Sequence, residues 1–179
     1  MGLNRHSIAL ALCTAALGLL ASCQQQQGQA SEYTPTYEYK KGYSARLVSG
    51  KAVAPADAPP RIKKAIAAAN KIINKPYRRG GGHAKHNDTG YDCSGSVAFV
   101  LREAGMLKQN AHPVSGDFLR WGRPGYGKWL TVYAKQGHVF LMIAGLRFDT
   151  TGSGRGVGPR WYEASRASKG FKVRHIPGY

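Results

Sequence analysis

Two stretches of the chain repeat apolar residues at helical spacing, and the C-terminal half changes to the period of strands. Ile62, Ala65, Ile66, Ala69 and Ile73 fall on one side of a helix predicted over about Arg61 to Asn74. Arg61, Lys63, Lys64 and Lys71 fall on the other, a solvated face. Pro59-Pro60 suits its first turn and Pro76 stops it. Val97, Val100, Leu101 and Ala104 recur at i, i+3, i+4, i+7 in a second helix. Asp92 is a strong N-cap type ahead of it, and Gly105 is the usual residue for a left-handed C-cap. Met106 to Gly127 is then a long irregular connection, with Trp121 and Tyr126 placed to line a cleft. Strand signals follow in Trp129–Tyr133, His138–Ile143, Leu146–Thr150 and Phe171–Ile176. The second of these is apolar on both sides, as a central buried strand would be. Helix, helix and a meander of at least four strands predict an α+β fold, with helices packed on one side of an antiparallel sheet.

The N-terminal third follows other rules. Arg5 and His6 precede an apolar run, Ile8 to Leu20, that is short for a membrane span and suits a secretion signal. The run ends in Leu20-Ala21-Ser22-Cys23, which resembles a bacterial lipobox; an ordinary signal cleaved near Ala21 or Ala30 is the alternative. Gln24 to about Pro60 opens with four glutamines and reads as a polar tether, with Tyr33, Tyr37, Tyr39 and Tyr43 set among Pro, Lys and Gly. The expected division is residues 1–22 as signal peptide, 23–59 as lipidated cysteine and tether, and 60–179 as one folded domain.

Charge narrows the partners. A formal net charge of +17 calls for an anionic partner. A secretion signal removes the chain from the genome, so anionic envelope polymers or lipid headgroups fit better than nucleic acid. Of the three cysteines, Cys13 leaves with the signal and Cys23 is the lipidation candidate, which leaves Cys93 as a free thiol. Two remaining cysteines are too few for a disulfide framework.

Cys93 lies in the first turn of the second helix, where free backbone N–H groups and the macrodipole favour a thiolate. Such a nucleophile needs a base, and the base needs a third group to orient it. His138 follows a glycine and heads an apolar strand, where an imidazole is held rigidly. If Ala144-Gly145 is a two-residue turn, Ile143 pairs with Leu146 and Asp149 lies diagonally across from His138 on the same face. A three-residue turn would put Thr150 there instead. Asp149 is the better acceptor. His83, His86 and Asp88 sit in a polar loop from His83 to Gly90, expected to be solvated. A structural zinc would want four ligands, and no second Cys/His pair exists to complete it, so neither metal nor cofactor is called for. Gly80-Gly81-Gly82 is not a phosphate-binding loop, because no Gly-Lys-Ser/Thr follows.

From Arg61 to Thr150 the chain resembles the NlpC-type cell-wall peptidases, papain-like cysteine enzymes that cut peptidoglycan stem peptides. The resemblance rests on Lys75-Pro76-Tyr77-Arg78-Arg79-Gly80-Gly81, on Tyr91-Asp92-Cys93-Ser94-Gly95 opening a helix, and on Gly137-His138-Val139 following at 45 residues from cysteine to histidine. It implies a papain-like fold, a Cys93 nucleophile, a His138 base, and Tyr77 lining the site near the thiol. It also implies that Asp92 and Ser94 match positions that, in members requiring a free stem-peptide N-terminus, hold its ammonium group. The departure is at the third position, where the family carries His, Asn or Gln and this chain has Thr150 with Asp149 beside it. The expected product is a lipid-anchored envelope peptidase acting on peptidoglycan, at the outer membrane facing the periplasm if the cell has one. Two other readings use the same residues: a catalytically degenerate, basic cell-wall-binding lipoprotein, and a thiol amidase or acyltransferase on another substrate.

Overall fold

A computed structural model describes residues 44–151, 156–163 and 165–179. The expected signal peptide, the Cys23 lipidation site, the tether up to residue 43 with its four tyrosines, and glycine-rich residues 152–155 lie outside the described residues. In chain order the elements are β1 (Arg46–Val48), β2 (Lys51–Val53), α1 (Pro60–Ile72) and α2 (Cys93–Glu103), followed by a single 3-10 turn at Asp117–Leu119. The strands β3 (Arg123–Pro124), β4 (Leu130–Lys135), β5 (His138–Ile143), β6 (Leu146–Asp149), β7 (Arg160–Tyr162) and β8 (Lys172–His175) complete the fold.

The architecture is α+β. Six strands form an antiparallel sheet in the order β3-β8-β4-β5-β6-β7. Strands β4 to β7 form the meander, and β8 returns to pair with β4 on the side away from β5. Side chains alternate across β5. Val139, Leu141 and Ile143 enter the main core with α1 and α2, while Phe140 and Met142 pack with Tyr133, Phe171 and Val173 in a second cluster. Burial on both faces explains why this strand carries no polar residue after His138.

The first helix forms as its proline predicts. Pro60 needs no N–H acceptor at N1, and the Ile62 and Lys63 N–H groups both reach the Pro59 carbonyl. It stops earlier than expected, at Ile72. Ile73 is already extended, and Asn74, a residue that tolerates the left-handed region, has φ +67°. Ile72 and Ala68 therefore join the buried stripe in place of Ile73.

The tether assignment needs correcting at its C-terminal end. Residues 46–53 form a hairpin through a Ser49-Gly50 turn with φ +49° and +76°, the left-handed pair of a type I′ turn. Asn70 of α1 fastens it. Its Nδ2 donates to the Ala52 carbonyl at 2.8 Å, and its Oδ1 accepts the Ala52 N–H at 3.0 Å and the Trp161 Nε1–H at 2.8 Å. One side chain thus ties α1 to β2 and β7. Three-residue strands, one carrying a single buried alanine, give no periodic signal, so the sequence shows polarity here and not the hairpin. Replacing Asn70 by Ala leaves three backbone or indole groups without this partner and should lower stability to urea by about 2 kcal/mol or more, measured as a shift in midpoint at constant m.

Candidate functional site

The N-terminus of α2 is built by Asp92. Its backbone is extended (φ −88°, ψ −176°), and its Oδ1 accepts the Gly95 N–H at 2.7 Å, the expected N-cap. Gly95 has to be glycine for another reason. A Cβ there would collide with the Gly81 carbonyl oxygen, so the Gly80–Gly82 loop lies directly on the helix start. Cys93 is the first helical residue, 7 % exposed, with a free thiol. Its N–H belongs to the first turn, where the helix itself supplies no acceptor.

His138 comes from the opposite direction, at the start of β5, paired with Lys135 across the tight Gln136-Gly137 turn. Its ring lies between Cys93 and Asp149 and interacts with both. Nε2 donates to Asp149 Oδ1 at 2.9 Å, which leaves Nδ1 for the thiol. The register is the two-residue one. Ile143 pairs with Leu146, and Ala144 and Gly145 have φ +46° and +83°. Asp149, not Thr150, therefore meets the ring.

The Asp149 side chain is fully buried. Oδ1 also accepts the Thr151 N–H at 3.0 Å, and Oδ2 accepts from Arg166 Nη1 at 3.0 Å, with Arg147 Nε at 3.8 Å. The Arg166 guanidinium lies 5.6 Å from the Phe140 ring centre and 5.7 Å from that of Phe171. Thr151, whose Oγ1 is 3.2 Å from His138 Nε2, falls on the face that the two-residue register gives it, whereas Arg166 was not visible in the sequence. Arg166 lies in an irregular stretch between β7 and β8, and only the fold brings it to β6.

These contacts set the protonation states. Burial opposes a charged His138 ring, but the hydrogen bonds to Asp149 and Cys93 and their charges outweigh it and raise its pKa to about 9. Burial likewise disfavours the Asp149 carboxylate, and His138 and Arg166 reverse this, holding its carboxyl below the usual range. The resulting arrangement is an imidazole ring held between the Asp149 carboxylate and the Cys93 sulfur.

A second carboxylate–histidine pair adjoins Cys93. His83 Nε2 is 3.1 Å from Asp92 Oδ1 and 3.2 Å from Ser94 Oγ. Ser94 Oγ itself donates to Asp92 Oδ1 at 3.1 Å, and the Gly80 N–H donates to Oδ2 at 2.9 Å. His83 is thus no solvated loop residue, as its polar surroundings in the chain suggested. His86 turns elsewhere, to Glu103 Oε1 at 2.8 Å with its ring 4.7 Å from that of Phe99, so the two histidines serve different acids. Buried Arg102 holds the loop down, donating to the carbonyls of Gly82 and Ala111. Tyr77 is exposed. Its backbone bridges to Tyr91, next to Asp92, and its phenol pKa is raised by partial burial first and then by Cys93 and Asp92, Arg79 opposing. An open cavity of about 410 Å³ lined by Ser44, Arg46, Leu47, Gly145, Leu146 and Glu163 lies at the other end of the β5–β6 hairpin, away from this chemistry.

Among the described residues no helix is long and apolar enough to cross a membrane. No family model matches the chain, and no curated protein sequence matches it.

The His138 pKa in the folded protein lies above the 6.5 of a free ring, so its contribution to stability is complete below about pH 6.5 and is lost as pH rises through about 9. The difference in unfolding free energy between wild type and His138→Gln should therefore shrink across that window, measured by urea denaturation at a series of pH values.

Proposed function

We propose that the protein is a cell-envelope cysteine peptidase hydrolysing amide bonds in peptidoglycan stem peptides. The observation that carries the chemistry is Cys93 at a helix start beside a histidine whose Nε2 is held 2.9 Å from a buried carboxylate. The substrate class rests on the resemblance of Asp92-Cys93-Ser94-Gly95 and Gly137-His138-Val139 to the NlpC-type enzymes. The observed α+β architecture, with the cysteine on a helix and the histidine on the sheet packed against it, is compatible with their papain-like fold.

In the proposed reaction the Cys93 thiol proton has passed to His138 Nδ1, and the Sγ thiolate attacks the carbonyl carbon of the scissile amide. The developing oxyanion takes a hydrogen bond from the Cys93 N–H. His138, protonated on Nδ1, gives that proton to the leaving amine as the C–N bond breaks, leaving a thioester on Cys93. Neutral His138 then takes a proton from water as the water oxygen attacks the thioester, and returns it to the departing sulfur. Asp149 keeps the ring in one orientation and stabilises its charged form, as the third member of a triad does. Tyr77, Asp92 and Ser94 form the adjoining substrate subsite. The net charge of +17 suits a polyanionic wall, and the apolar leader with Cys23 suits a lipid anchor to the membrane beside it.

Cys93→Ala and His138→Ala should each reduce release of fragments from purified peptidoglycan by about ten thousandfold or more, with circular dichroism unchanged. Retention of activity by the Cys93→Ala protein would overturn the reading.

A further inference from the structure

We propose that Arg166 is a positioning residue for His138. Its guanidinium keeps the buried Asp149 carboxylate compensated whether or not the ring is charged, and so lets His138 give up a proton that Asp149 alone would hold. The proposal rests on the peptidase reading for what the ring does with that proton.

Asp149 has two oxygens and two hydrogen-bonded cationic partners of different kinds. Oδ1 accepts from His138 Nε2 at 2.9 Å and from the Thr151 N–H at 3.0 Å, and Oδ2 accepts from Arg166 Nη1 at 3.0 Å. A histidine is charged only while protonated, whereas a guanidinium is charged at every pH a folded protein meets. When His138 loses its proton, the carboxylate stays ionised with its side chain wholly out of water. Arg166 is then its remaining charged hydrogen-bond partner among the described residues. Without Arg166 that state would carry an under-compensated buried charge, and the ring would keep its proton instead.

The other charged groups around the pair are turned elsewhere. Arg147 Nε is 3.8 Å from Oδ2, beyond hydrogen-bond reach, and its guanidinium lies 4.2 Å from the Tyr162 ring centre. Arg160, across from Asp149 on β7, turns its Nε to the Gly158 carbonyl. Lys135, across from His138 on β4, has its Nζ 4.7 Å from the Phe171 ring centre. On the thiol side of the ring are Cys93 of α2 and, beyond it, Tyr77 and Asp92. Among these cations Arg166 alone reaches both members of the pair. Its Nη1 is also 3.4 Å from His138 Nε2, and with a proton on Nε2 these are two donors on two cations, which repel. The Phe140 and Phe171 rings flank the guanidinium and the side chain is only 25 % exposed, so solvent screens it little. Both effects have one sign: without Arg166 the charged ring is more stable and loses its proton at a higher pH. In the proposed reaction such a ring gives its proton to the leaving amine less readily and is less often the neutral base that thioester hydrolysis needs.

Titrating the His138 ring protons by NMR in the full-length protein tests this without substrate, the signal being assigned by its loss in His138→Gln. Arg166→Gln keeps a neutral donor for Oδ2 and removes the charge, and its midpoint should lie about half a pH unit or more above that of wild type. Arg166→Lys, which keeps the charge, should stay within about 0.2 of wild type. The alkaline limb of Cys93-dependent peptidoglycan cleavage should move up in the same order. Arg166→Met, an apolar chain for the place beside Phe140 and Phe171, replaces the glutamine variant if that does not fold. A midpoint unchanged or lowered in the uncharged variant, or raised as much in Arg166→Lys, would overturn the proposal. Failure of wild type to release fragments from peptidoglycan overturns the peptidase reading, while the titration still decides the role of Arg166.

Discussion

A carboxylate with no exposed surface governs the chemical end of this molecule. An ionised group removed from water is tolerated only when charge and hydrogen bonds compensate it, and removing a single partner exposes the full cost. Asp149 has His138 on one oxygen, Arg166 on the other, Arg147 behind it and the Thr151 N–H beside it. Each partner comes from a different place: the start of β5, the irregular return toward β8, the middle of β6, and the second residue past its end. The carboxylate gathers these segments, and the orientation of the imidazole is a by-product of satisfying it. Its ring plane and the position of Nδ1 follow from a stability requirement before any catalytic one.

Two carboxylate–histidine pairs meet around Cys93, and they differ in what surrounds the carboxylate. Asp149 is fully buried and shared between His138 and Arg166. Asp92 also caps α2 and takes the Gly80 N–H, so its pairing with His83 fastens the glycine loop to the helix start. The same residue types at much the same distances thus orient a ring in one place and anchor a loop in the other.

The large elements were legible because each has a strong local cause. Asp92 and Gly105 bracket α2, Pro60 starts α1, and an apolar run between Gly137 and Ala144 has no other stable place than the inside of a sheet. The register that brings Asp149 to His138 was one of two that the sequence allowed, and the left-handed Ala144-Gly145 pair makes it the two-residue one. What could not be read is contact between segments with no pattern of their own. The β1–β2 hairpin owes its place to Asn70 in a helix it precedes, β3 has two residues, and Arg166 reaches Asp149 across a stretch of serine, alanine and lysine. His83 was misjudged for a related reason: its partners are 9 and 11 residues on, across a loop whose path depends on Gly81 seating against Gly95.

The hairpin also decides where a pull on the preceding chain would reach the described fold. The Ala45 N–H donates to the Ala144 carbonyl at 2.7 Å, so the described chain joins the sheet at the tip of the β5–β6 turn. His138 sits at the far end of β5, a six-residue strand and so about 20 Å away. A pull on the incoming chain would be taken up first by that hydrogen bond, by the β1–β2 ladder and by Asn70. The thiol, the imidazole and the carboxylate would keep their spacing while the attachment strains.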